Sequence, residues 1–112
     1  MRTLKSYEEI PNLTSDAFQK LKSEDPNGII LDVRTEEEFR NVRLTNSILI
    51  DIYKPDFIEK ISLLDKSKSY FIYCASGVRS LNACKEMRKR GFEKVYNLEY
   101  GIHEWDGEVE NG

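Results

Sequence analysis

Short, wholly apolar runs alternate along this chain with longer stretches in which apolar residues return every three or four positions. Residues 28–33, 47–50, 70–73 and 94–98 read as strands, rich in β-branched and aromatic side chains. The first of them opens after the turn Asp25-Pro26-Asn27-Gly28. Residues 5–10 suggest an additional edge strand. Between these runs the period changes to that of a helix. Thr14 caps a helix through Ala17, Phe18 and Leu21, and Thr35-Glu36-Glu37-Glu38 is a capping box that opens a short helix with Phe39 inward. Phe57, Ile58, Ile61 and Leu64 share one helical face, as do Val78, Leu81, Cys84 and Met87. Gly91 stops the latter helix, residues 101–105 form a short closing helix, and the polar tail 106–112 is expected to fray. Apolar strands separated by helices predict an α/β fold, with a parallel sheet covered on both faces.

Composition narrows the class. The 112 residues suit one domain spanning 1–112, with 39% hydrophobic and 33% charged side chains as in a soluble globular protein. No run approaches the ~20 apolar residues of a membrane span, and residues 1–8 lack the apolar core of a signal peptide, so a cytoplasmic location is expected. A formal net charge of −3 argues against nucleic-acid and membrane-surface partners. The basic segment 85–94 is interrupted by Glu86 and Glu93 and reads as a solvated helix face. Two cysteines do not make a disulfide framework. A helix between Cys74 and Cys84 holds them about 15 Å apart, beyond disulfide reach. Cys84 falls on the apolar helical stripe and reads as core. With one histidine and two cysteines no metal site is evident.

Candidate chemistry gathers at Cys74-Ala75-Ser76-Gly77-Val78-Arg79, between the strand 70–73 and the helix that follows. A thiol reacts as its thiolate, whose free pKa is about 8.5. The first N–H groups of a helix lack intrahelical partners and carry partial positive charge, so a loop wrapping into a helix start is an anion site. Gly77 permits the wrap and Arg79 brings a fixed cation. Both effects favour an anionic sulfur at Cys74 and make it the candidate nucleophile, in preference to a small buried residue. Asp32 ends its strand on the same rim, because ligands of such sheets bind beyond the carboxyl ends of the strands. Asp32 and Arg34 either orient the loop or clasp the strand end. His103, the only histidine, reads as a surface residue, and Trp105 as a core anchor.

These residues resemble the rhodanese family of sulfurtransferases. Asp32-Val33-Arg34 followed by Glu38-Phe39 is similar to its first signature, residues 74–80 to its active-site loop, and Tyr100-Gly101-Ile102-His103-Glu104-Trp105 to its closing segment. The resemblance implies a three-layer rhodanese-like fold with a central parallel sheet of about five strands flanked by helices. It also implies that Cys74 takes up a sulfane sulfur as a persulfide and passes it to a thiol or to cyanide, with no cofactor. The loop Ala75, Ser76, Gly77, Val78 and Arg79 would bind the sulfur donor and stabilise the persulfide anion through its N–H groups. Small sulfur donors, thiol acceptors and a protein persulfide donor are the implied partners.

Four residues separate Cys74 from Arg79, against five in related phosphatases, which favours a sulfur atom over a phosphate group. Three positions depart from the family pattern. Val42 and Arg43 replace a Gly-His pair, so Arg43 is either an added rim charge or an exposed arginine. Ala75 and Ser76 stand where thiosulfate-using members carry a basic residue, which predicts weak thiosulfate binding. Tyr100 replaces a glycine. Two further readings remain beside the enzyme: a persulfide carrier, and a non-turning-over interaction module of the same fold. Intact Cys74, Gly77 and Arg79 weigh against a silent module.

Overall fold

The computed structural model describes residues 9–112. Its elements in chain order are β1 (Asn12–Leu13), α1 (Ser15–Ser23), β2 (Ile29–Asp32), α2 (Glu36–Asn41), β3 (Val42–Leu44), β4 (Ile48–Leu49), α3 (Phe57–Ser62), β5 (Tyr70–Tyr73), α4 (Val78–Lys89), β6 (Val95–Leu98), a 3₁₀ turn (Gly101–Glu104) and β7 (Val109–Asn111). Five strands form one parallel sheet in the order β1-β6-β5-β2-β4. β5 sits at its centre, between β2 and β6. All four of its residues are buried, which is why they read as one unbroken apolar run.

The side chains of β5 alternate between two cores. Tyr70, Ile72 and the following Cys74 join Leu31 and Val33 beneath α3 and α4, where Phe57, Ile61, Ala83, Cys84 and Met87 cover them. Phe71 and Tyr73 face the other way, into a cluster with Phe18 of α1, Leu44 and Leu98. This is the expected α/β sheet with helices on both faces. No helix among the described residues is long and apolar enough to cross a membrane.

Several boundaries shift, each for a physical reason. Most of the suggested edge strand at 5–10 lies outside the described residues; the strand that pairs with β6 is Asn12–Leu13. In α4 the buried stripe runs through Ser80, Ala83, Cys84 and Met87, leaving Val78 66% exposed, because the helix begins at Val78 and turns that residue to the rim. Ile58 is likewise on the outer side of α3, whereas Phe57 and Ile61 are buried. Phe39 and Trp105 are only half-buried. Trp105 packs edge-on against Phe18, and its indole N–H donates to the Glu108 carbonyl.

The tail does not fray throughout. Val109–Asn111 pairs antiparallel with β3, so Val42-Arg43-Leu44, expected as a rim loop, is a strand. Arg43 lies over the Phe39 ring and pairs with Glu110 at 3.3 Å, so it is neither a rim charge nor a free exposed arginine. The Asp106 carboxylate accepts from Ser15 and Gln19, which ties the start of the tail to α1.

Under the end of β2 lies a buried charged clasp. The Arg34 guanidinium donates to both Asp32 oxygens at 2.8–3.2 Å and to the Val42 carbonyl at 2.6 Å. The Tyr73 hydroxyl donates to Asp32 Oδ2 at 2.6 Å and accepts the Leu44 N–H. Burial, with the Asp32 charge beside it, pushes the Tyr73 hydroxyl well above its usual range. None of the hydrogen bonds of Asp32 or Arg34 among the described residues reaches the 74–79 loop.

Two outcomes are expected. Asp32→Ala, which strands the Arg34 cation in the interior, costs about 3–5 kcal/mol of stability in urea unfolding; a loss below about 1 kcal/mol would show the clasp to be dispensable. Removal of residues 107–112 accelerates amide hydrogen exchange at Val42–Leu44 while leaving β5 protected. Unchanged exchange there would mean that β7 is not paired in solution.

Candidate active site

Cys74 leaves β5 at its carboxyl end and is itself fully buried, with its sulfur turned toward the start of α4. Three donors converge on it. The Gly77 N–H donates to Sγ at 3.1 Å, the Ser80 N–H at 3.4 Å and the Ser80 hydroxyl at 3.3 Å. Burial opposes ionisation here. The Ser80 hydroxyl and the N–H groups of Ser80, Gly77 and Ser76 outweigh it and hold the thiol below its usual pKa. The donors belong to the first turn of α4, whose N–H groups have no intrahelical partners.

Gly77 makes this convergence possible. It takes φ of +100° at the cap of α4, and a side chain there would run into the Glu99 carbonyl. Its own carbonyl accepts from the Asn97 amide at 3.2 Å, which fixes the peptide from below. Gly101, at φ +68°, supports the loop from the other side: a Cβ there would strike the Ala75 carbonyl. The Ile102 and His103 N–H groups donate to the Cys74 and Ala75 carbonyls at 3.0 and 3.2 Å. The closing segment of the chain is therefore the floor of the loop.

Arg79 is bound to a carboxylate. Its two terminal nitrogens each donate to one oxygen of Glu38 at 3.0 Å, a bidentate pair. Arg79 lies 5.6 Å from the centre of the Tyr53 ring. The Arg79 bond, together with donors from Thr35, holds the Glu38 carboxyl down at about 2 against the cost of burial. Glu38 Oε1 also accepts from the Thr35 N–H at 3.0 Å and its hydroxyl at 3.1 Å, so the capping box of α2 doubles as the anchor of Arg79.

The loop residues 74–79 are thus brought together with Ser80, Glu38, Asn97 and Gly101. Asp32 and Arg34 stand behind β5, on the Tyr73 face, whereas Cys74 faces the other core. Glu38 is legible in the sequence as a helix cap and as part of the first signature, but not as the partner of Arg79. Ser80 closes the loop motif in the sequence, but its role as a donor to the sulfur is not legible there. Asn97 was a polar residue in the middle of an apolar strand, which is the kind of position where a buried amide has a structural task. Cys84 is buried in the same cluster as Cys74, and burial pushes its thiol far above the usual range. His103 is exposed.

The architecture has known counterparts. The rhodanese-like domain family model matches residues 14–108, a span that includes every residue of this site. A Bacillus subtilis protein named "Putative sulfurtransferase YtwF" is 35% identical over 101 residues, covering 90% of this chain and 95% of that protein. "Putative sulfur carrier protein YrkF" of the same organism is 32% identical over 101 residues; the match covers 90% of this chain but 54% of that protein, about half its length. The crystal structure of a rhodanese-like domain protein from Staphylococcus aureus superposes with a TM-score of 0.78 at 29% identity, covering 92% of this chain and 99% of that one. With sequence, loop and fold in agreement, the chain belongs to the rhodanese-like domain family.

Proposed function

We propose that this protein is a sulfurtransferase that carries a sulfane sulfur on Cys74. The observation that carries the reading is the convergence of the Gly77 N–H, the Ser80 N–H and the Ser80 hydroxyl on one buried sulfur. The Cys74 thiolate attacks the outer sulfur of a donor; with thiosulfate the S–S bond breaks and sulfite leaves with the bonding pair. The product is a Cys74 persulfide anion. An acceptor thiolate or cyanide then attacks its outer sulfur, and the Cys74 thiolate is released with the electron pair. Neither half-reaction consumes an external oxidant or reductant.

In this reading Cys74 is the catalytic residue, and the N–H groups of residues 75–79 hold the negative charge as it moves from one sulfur to the next. Asp32 and Arg34 act only at a distance, by clasping the strand ends. Ala75 and Ser76 add no cation, which favours a protein or small-thiol persulfide over thiosulfate as donor. The relative named as a sulfur carrier supports a second reading, in which the loaded Cys74 serves one partner protein rather than turning over freely.

Intact mass after incubation of the reduced protein with a donor is the direct test. One added sulfur, removable by cyanide and missing in Cys74→Ser, is expected; a folded, reduced wild type that gains nothing from thiosulfate or a small-molecule persulfide would overturn the assignment. The pH dependence follows from the donors. Alkylation of Cys74 rises with pH and levels off below the ordinary thiol range of about 8.5. Ser80→Ala removes one donor to the thiolate, so its midpoint moves to higher pH. A midpoint that stays put would remove Ser80 from the site.

A further inference from the structure

A cation at the mouth of an anion site ordinarily draws dianions more strongly than monoanions. Here that cation is already taken. Both terminal nitrogens of Arg79 are bound to Glu38 in a bidentate pair at 3.0 Å, and the two side chains are 21% and 33% exposed. Glu38 is itself immobilised, because the Thr35 N–H and hydroxyl hold one of its oxygens. Tyr53 lies beside the guanidinium. At the sulfur the donors are dipoles: two N–H groups and one hydroxyl. Dipoles stabilise a single negative charge at close range but offer no net positive charge to a second one.

We propose that Glu38 is a positioning residue that sets donor choice: by neutralising Arg79, it tunes the Cys74 cradle toward uncharged or singly charged sulfur donors and against dianions. The donor half of this inference rests on the sulfur-transfer reading above. The charge half does not, since it concerns what the cradle admits.

Two donors that deliver the same sulfane sulfur separate the effects. Thiosulfate is a dianion that leaves as sulfite, and methanethiosulfonate is a monoanion that leaves as methanesulfinate. In Glu38→Gln the ratio of thiosulfate to methanethiosulfonate kcat/KM is expected to rise about three- to tenfold, the worth of one screened unit charge at this range. The change should fall mainly in the KM for thiosulfate. It should vanish in the double variant Glu38→Gln/Arg79→Gln. A merely structural role for Glu38 would alter both donors alike and leave the ratio unchanged.

Alkylation supplies a readout that needs no sulfur transfer. Iodoacetate and iodoacetamide attack the same Cys74 thiolate, so their rate ratio cancels any change in thiolate fraction and reports the charge of the cradle. Glu38→Gln should raise that ratio. Should that variant fail to fold, Arg79→Gln, which leaves the Glu38 carboxylate bare, should lower it. Unchanged ratios in the folded variants overturn the role of Glu38, whether or not sulfur is taken up. A shifted alkylation ratio with no uptake from either donor upholds the charge selection and overturns sulfur transfer instead.

Discussion

At Gly77 the chain adopts a φ of +100°, and that backbone angle aims its N–H at the Cys74 sulfur as α4 begins. The angle is held from two directions. Glu99 occupies the space a side chain would need, and the Asn97 amide binds the Gly77 carbonyl. β6 therefore sets the peptide that shapes the thiol, although the hydrogen bonds to the sulfur come from Gly77 and Ser80. Gly101 lets the 3₁₀ turn approach the loop backbone equally closely. A parallel sheet with β5 at its centre is what brings these segments, distant in sequence, to one strand end.

The parts of the molecule most legible from sequence are those governed by period and by local turn chemistry. Residues 70–73 read as a buried strand because both faces of β5 are covered, and the Thr35 capping box stands as expected. The loop at 74–79 was readable because a cysteine, a glycine and an arginine at that spacing have few other uses. What stayed hidden depends on pairing across long stretches of chain. Val42-Arg43-Leu44 becomes a strand only because Val109-Glu110-Asn111 returns to it, with Arg43 opposite Glu110 67 positions later. The partner of Arg79 is 41 residues away. Local rules carry no information about either meeting.

Charge is handled differently at the two ends of this rim. Asp32, Arg34 and Tyr73 form a closed network in the interior, with the carboxylate, guanidinium and hydroxyl bound to one another. Glu38 and Arg79 form a second pair nearer the surface. The hydrogen bonds to the sulfur come instead from backbone and hydroxyl groups. A fixed framework of dipoles needs little rearrangement when charge shifts within the site, which is the condition under which such groups act most strongly.

The burial of Cys84 gives the molecule a direction. Both sulfurs belong to one apolar cluster, yet one is surrounded by donors and the other is kept neutral by its surroundings. A neutral core thiol is a poor nucleophile, so a sulfur atom resting on Cys74 would find no rival inside the protein to expel it as sulfide and close a disulfide. In chemical terms the chain is a monothiol despite its two cysteines. Under the proposed sulfur-transfer reading, an atom held on Cys74 would then pass to an acceptor arriving from outside.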